Sequence, residues 1–481
     1  MRGKTSTRVA IEDQYMRKRF IPTLGALMAI GAILATGLPR VACADITYTV
    51  NSTLDQLDDD LLDGICHTAA NTCTLRAAVM SASRASGAGA TIVLPPGVYG
   101  LTRPVTGLND EENGDLDFLS PSTGNPTIFL MGSGMDTTII DANQIDRVIE
   151  VGLDRTVVIN GVTIRHGFTD RDGGGIAAFG ALTITDSRVE ENRGRYGGGI
   201  HSSNNLSVLH CEFVGNQALD AGGALFYSQQ PLILTPLLVV SQSRIRGNHA
   251  HYGGGVYVAH TTRIIETEIS QNSAATIGGG IVAAFSLTIV NTTIANNLAN
   301  TFGGGLTTVD SPSAITNIYN STIVGNAADQ DQDFEGLGGG VYTPGSAGQV
   351  NIYNTIIAGN TVSNSPQPDD CRGIIKTHAR NLFGSTNGCT IDQISGSWDF
   401  LNSLNFLGPL QNNGGPTQTI ALLAGSNAIN AGTPGAGCLD NTSTTIVTDQ
   451  RGFPRNVGIC DLGAYEYGAT DPDVIFRSGF D

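Results

Sequence analysis

The sequence predicts an all-β fold: a single-stranded parallel β-helix, a solenoid of coils of about 24 residues with three strands each. Three observations carry this expectation. First, seven glycine clusters, opening at Gly173, Gly197, Gly222, Gly253, Gly278, Gly303 and Gly338, are each followed by an aliphatic residue. Those residues are Ile176, Ile200, Leu225, Val256, Ile281, Leu306 and Val341; four of their intervals are 24 or 25 residues, and the two longer ones, 31 and 35, carry insertions. Second, an asparagine recurs once per interval, at Asn192, Asn216, Asn248, Asn272, Asn297, Asn326 and Asn360. An apolar residue stands three places before each (Val189, Phe213, Ile245, Ile269, Ile294, Ile323, Ile357) and a small one five before (Ser187, Cys211, Ser243, Thr267, Thr292, Ser321, Thr355). Two positions two apart share one face of a strand, which is expected to be the inner face. Third, the segments between, such as 206–209 and 288–290, are short and β-branched, and the period is too short for helical-hairpin repeats of roughly 33 residues.

Stacked coils bring equivalent residues to about 4.8 Å, so the asparagines are expected to form a ladder of side-chain amides bonded to one another and to turn backbone. The glycines then serve the tight turn beside it.

Residues 1–44 are expected to be a signal peptide. Met16-Arg17-Lys18-Arg19 precedes the apolar run 20–38 and the small-residue site Ala42-Cys43-Ala44, so Met16 reads as a start and cleavage falls before Asp45. A retained anchor and a lipoprotein on Cys43 are the other readings; Arg40 stands where a lipobox wants an aliphatic residue. Cleavage leaves 19 basic and 41 acidic residues, a formal charge of −22, and no transmembrane span. That charge disfavours nucleic acid and anionic lipid as partners, and Lys376 is the one lysine of the mature chain.

Residues 45–120 have a different texture, with a helix-compatible stretch at 80–85 and a strand-like 90–94, and are expected to cap the first coil, because an open β edge invites aggregation. This region resembles the CSLREA domain through Cys73-Thr74-Leu75-Arg76-Ala77-Ala78, departing from its signature at Thr74 and Ala77. The coils, expected over 121–400, resemble the repeats of polymorphic outer-membrane proteins, which pair FxxN with GGA plus an aliphatic residue. Phe213 with Asn216, followed by Gly222-Gly223-Ala224-Leu225, matches both. The broader resemblance is to pectin-lyase-like right-handed β-helices. Residues 401–468 are similar to the choice-of-anchor Q region through Gly408-Pro409-Leu410-Gln411, Gly425-Ser426-Asn427-Ala428-Ile429-Asn430 and Asp449-Gln450-Arg451-Gly452-Phe453-Pro454-Arg455. Residues 469–481 look similar to short sorting tails of exported proteins, with a frayed terminus as the equal reading. Together these resemblances imply an exported bacterial protein, secreted or on the outer surface, and imply no particular chemistry.

Seven cysteines follow the leader. Cys66 with Cys73, Cys371 with Cys389 and Cys438 with Cys460 are close in sequence and outside the regular coils, so local disulfides are expected. Cys211 belongs to the small-residue column and is expected to be a buried core residue.

Charge gathers in the turn before the first four glycine clusters: Asp170, Arg171, Asp172, Arg195, Asp220 and His251, flanked by Arg193, Tyr196, His249 and Tyr252. Stacking places Asp220 between Arg195 and His251, a patch able to grip a glycan or perform acid/base work. The other reading is a solvated turn with surface ion pairs, each worth less than about 1 kcal/mol. Gly-His-Gly, Arg-x-Lys and, within the regular coils, Asp-Asp signatures of polysaccharide-cleaving β-helices are missing; Asp369-Asp370 lies in an irregular segment and Trp398 is the sole tryptophan. The expected function is therefore non-catalytic, structural or adhesive, with an extracellular polysaccharide or cell-surface component as ligand. The alternative is an extracellular polysaccharide lyase or glycoside hydrolase.

Calcium is the ion the composition favours. Asp110, Glu111, Asp115 and Asp117 form one acidic loop and Asp329, Asp331, Asp333 and Glu335 another, with 58–63 comparably acidic. Hard oxygen ligands on loops suit Ca²⁺ at extracellular concentrations; solvated acidic loops are the alternative.

Overall fold

The computed structural model describes residues 46–85, 89–106, 111–119, 126–228, 237–333, 335–345, 347–363, 365, 368–394, 398–403, 406–432, 438–439, 445–455 and 459–471. The expected signal peptide at 1–44, the tail from 472 onward and Asp110 lie outside the described residues. Among the described residues no helix is long and apolar enough to cross a membrane.

The chain winds through three parallel sheets of 22, 11 and 7 strands, which makes it a parallel β-helix. One coil shows the path. It begins in sheet 1 at Ile200–Ser202, bends and continues in the same sheet at Leu206–Leu209, crosses to sheet 2 at Glu212–Val214, then to sheet 3 at Gln217–Ala221. The aliphatic residue after each glycine cluster is in register with the next one up the stack, from Ile176 through Ile200, Leu225, Val256, Ile281 and Leu306 to Val341. The solenoid begins before residue 121: Gly89–Leu94, Gly97–Gly100 and Leu116–Phe118 already pair with strands of the following coil. Helix α1, Leu75–Arg84, packs beside these first strands. Thr74 caps it, its hydroxyl accepting from the Ala77 amide.

Each of the seven coils marked by a glycine cluster turns three corners, and each of these corners holds a residue in the left-handed region. Before the Ser/Thr/Cys column it is Asp186, His210, Gln242, Glu266, Asn291, Asn320 or Asn354, with φ of 46–52°. Before the asparagine column it is Glu191, Gly215, Gly247, Gln271, Asn296, Gly325 or Gly359. At the third corner it is the first glycine of each cluster, φ 61–69°. The second glycine faces a different constraint. A Cβ on Gly279 would lie 2.3 Å from the Leu298 carbonyl oxygen and 2.5 Å from that of Gly304, both backbone atoms of the neighbouring coil. Gly279→Ala is therefore expected to destabilise the protein by about 1–3 kcal/mol through overpacking, read as a lower urea midpoint at unchanged m-value.

The asparagine column forms a continuous ladder. Asn192, Asn216, Asn248, Asn272, Asn297 and Asn326 each donate from Nδ2 to the Oδ1 of the next asparagine at 2.9–3.0 Å. The same oxygens accept a backbone amide one coil earlier, beginning with Gly167. The ladder ends on Asp370, whose Oδ1 accepts both the Nδ2 and the backbone N–H of Asn360 at 2.8 Å. A second ladder runs through the small column, where a hydroxyl donates to the carbonyl two residues back, as Ser243 does to Ser241 at 2.7 Å. Cys211 occupies that column as a free, buried thiol, which burial pushes up to about 12. The disulfides Cys66–Cys73, Cys371–Cys389 and Cys438–Cys460 are formed.

The C-terminal region is a strap laid along sheet 2. The outward column of that sheet is charged in its early coils, Arg188, Glu212, Arg244 and Glu268, then turns to Thr293, Thr322 and Ile356. Where it is charged, the rungs pair: Arg188 with Glu212 at 2.9 Å and Arg244 with Glu212 at 3.1 Å. The strap begins on the last charged rungs, where the Gln418 amide donates to Glu268 at 3.0 Å and Arg244 to the Pro416 carbonyl at 3.2 Å, and covers the uncharged ones. Thr293 donates to Gln450 at 2.6 Å, Thr322 accepts the Ala464 amide at 3.0 Å, and Ile356 packs with Leu422, Ala428 and Leu462.

Candidate functional site

The charged turn divides in two. Arg195 donates from Nε to Asp220 at 2.7 Å, with both side chains open to solvent. His251 does not complete a triad with them: its ring nitrogens face Thr276 Oγ1 at 3.2 and 3.5 Å, and its edge meets Tyr252. The strands of Asp220 and His251 shift register between Gln217 and Ala221. Asp170 and Arg171 are exposed. Asp172 points elsewhere, its carboxylate 3.8 Å from Nδ1 of the buried His201.

His201 belongs to a column that the sequence reading passed over. The residue after each aliphatic position faces out of sheet 1, and up the stack the column reads Asp117, Glu150, Ala177, His201, Phe226, Tyr257, Val282, Thr307 and Tyr342. The signal was available, one place beyond the motif used for register. His201 stacks on Phe226 at 5.5 Å and Phe226 on Tyr257 at 5.2 Å, with Tyr196 tilted against Phe226 at 5.0 Å. The three stacked residues are 5–8% exposed. Their faces are taken by one another, so they stabilise the outer face of the sheet and leave no open ring for a sugar. Burial lowers the His201 pKa, which keeps its imidazole neutral.

Among the described residues, three groups bring oxygens or ring nitrogens within 4.8 Å of one another: Asp58, Asp59 and His67; Asp115, Asp117 and Glu150; and Asp329, Asp331 and Asp333. Only part of each expected calcium set comes together. Glu111 is taken by Arg84, at 2.8 Å from its Nη1, and Glu150 joins Asp115 and Asp117 instead. Glu335 is outside the third group, where Asp329 is buried but Asp331 and Asp333 are exposed.

The class defined by this architecture is a parallel β-helix with a helix packed against its first strands, a covering strap and a charged flank. Comparison by sequence finds no matching family model and no matching curated protein. Among solved structures, the crystal structure of pectate lyase Pel9A aligns over 88% of this chain and 96% of that one, with 14% identity and a TM-score of 0.35.

Proposed function

We propose that this chain is an exported, non-catalytic β-helix protein whose sheet 3 flank binds a polysaccharide or another cell-surface component. The observation that carries the reading is the row Phe168, Arg193, Gln217, His249 along the outer face of sheet 3, each exposed and each in register with the next. Arg193 lies over the Phe168 ring at 5.6 Å, and Arg195, Leu219 and Asp220 extend the same face. Rungs about 4.8 Å apart present donors and apolar surface at a regular interval, which suits a repeating polymer. Three disulfides favour an oxidising compartment.

Catalysis is poorly served. Arg195 and Asp220 satisfy each other, and Lys376 is hydrogen-bonded to Gln349 at 3.2 Å. The carboxyls raised furthest by burial, Asp115, Asp117, Asp370 and Asp461, are at most 7% exposed, out of reach of a chain substrate. The expected result with acidic and neutral polysaccharides is binding without new reducing ends and without unsaturated product absorbing at 235 nm. Arg193→Glu should abolish that binding at unchanged melting temperature. Turnover that disappears in Asp220→Ala would establish the lyase or hydrolase reading in its place.

A further inference from the structure

The first two rungs of the outward column on sheet 1 are both acidic. Asp117 on strand Leu116–Phe118 is in register with Glu150 on strand Ile149–Val151, and Asp115, two residues before Asp117, lies on the same side. One oxygen from each of the three converges within 4.8 Å. Asp115 and Asp117 are 7% and 3% exposed, and Asp117 Oδ2 is buried without a hydrogen-bond partner. A carboxylate in that position is strongly unfavourable unless something compensates it.

The protein's own cations do not suffice. Arg147 is the guanidinium within the cluster: its Nε is 2.7 Å from Asp115 Oδ2, its Nη1 is 3.4 Å from Glu150 Oε2, and that Nη1 also donates to the Asp172 carbonyl at 3.1 Å. Arg76 is committed to Asp55 and to the carbonyls of Gly114 and Asp115. Asp146 adds a further negative charge against Gly114. Three carboxylates share one guanidinium in a desolvated recess.

We propose that Asp115, Asp117 and Glu150 form a divalent-cation site of the calcium class, which fastens the first coil to the second beneath the capping helix. The donors are hard oxygens, and Asp117 Oδ2 is the one left to be satisfied by a ligand. The site also has a structural consequence, since Ser83 of α1 hydrogen-bonds the Asp117 carbonyl and the Leu119 amide, and Arg76 of α1 holds the Asp115 carbonyl. A bound ion there anchors the cap. This holds whether or not the sheet 3 flank binds a glycan.

The competing ligand is a proton. Burial, with Asp117 and Glu150 repelling their neighbours, raises Asp115 well above the usual carboxylate range and Asp117 to about 7; Glu150 is also raised. The charged groups facing them are Arg147, Arg76, Asp146 and, near Glu150, Arg171. Because the folded pKa lies above the unfolded one, these carboxyls favour the fold as pH falls through about 7 and oppose it above.

The test uses the full chain. Melting temperature is measured at pH 8 in EDTA and in millimolar calcium, and terbium luminescence reports occupancy directly. Calcium is expected to raise the melting temperature at pH 8. Asp117→Asn should lose both the shift and the terbium signal while melting at or above the wild-type temperature in EDTA at pH 8, since it removes a repelling charge. Glu150→Gln is the second variant, should the first fold poorly. No shift at pH 8, or a shift that persists in these variants and so belongs to another acidic group, would overturn the proposal.

Discussion

Asn272→Leu is expected to lower the unfolding free energy by about 3 kcal/mol or more, from two or more buried groups left unsatisfied at roughly 1–3 kcal/mol each. Asn272 Oδ1 accepts both the backbone N–H and Nδ2 of Asn248, at 3.0 and 2.9 Å. Its own Nδ2 donates to Asn297 Oδ1 and to the Ile245 carbonyl, each at 2.9 Å. Leucine removes all four bonds and adds a branched side chain next to Gly255, whose missing Cβ leaves room for the amide. Ser273→Ala, one residue on and facing outward, is the control and should stay within about 0.5 kcal/mol. Urea unfolding of the two variants decides the matter, and equal midpoints would contradict a ladder that holds the coils together.

Arg455→Met is expected to release the strap. The guanidinium is 4% exposed and donates to Asn291 Oδ1 at 2.9 Å, to the Gly463 carbonyl at 2.8 Å, and to Glu466 Oε2 and the Thr448 and Asp461 carbonyls at 3.2–3.3 Å. Methionine fills similar volume but leaves Glu466 and Asp461 buried without their cation, which costs about 3–5 kcal/mol when one partner of a buried pair is removed. The loss falls on the strap, because the coils keep their own ladders. Limited proteolysis should cut the 401–471 region while the coils resist and the β-sheet circular dichroism persists. A strap as protected as in the wild type would mean that its apolar contacts with Ile356 and Leu382 suffice.

The difference between these sites explains which parts of the molecule were legible in sequence. Asn272 was legible because its environment recurs: each coil poses the same hydrogen-bonding demand at the same corner and answers it with the same residue. Asp370 ends that ladder and was not legible, since it follows Asn360 by ten residues through an irregular segment instead of by one period. The acidic recess was half legible. Asp115 and Asp117 stand there in sequence, but Glu150 reaches them only through the strand register of the next coil. The triad of Arg195, Asp220 and His251 failed for the opposite reason: strict periodicity implied it, but the His251 ring meets Thr276 and Tyr252 instead. Arg455 and its partner Asn291 are 164 residues apart, and the change from charged residues to Thr293, Thr322 and Ile356 on sheet 2 was the one trace the strap left.

The sequence by itself determined the coil, its period, the glycine corner and the asparagine ladder, because contacts between neighbouring coils repeat and repetition amplifies a weak local preference into a readable pattern. Only the tertiary structure decided the strap, the acidic recess under the cap and the split of the charged turn. Each of these is a contact made once, between segments whose separation no period encodes, so its geometry exists only after the chain has been wound.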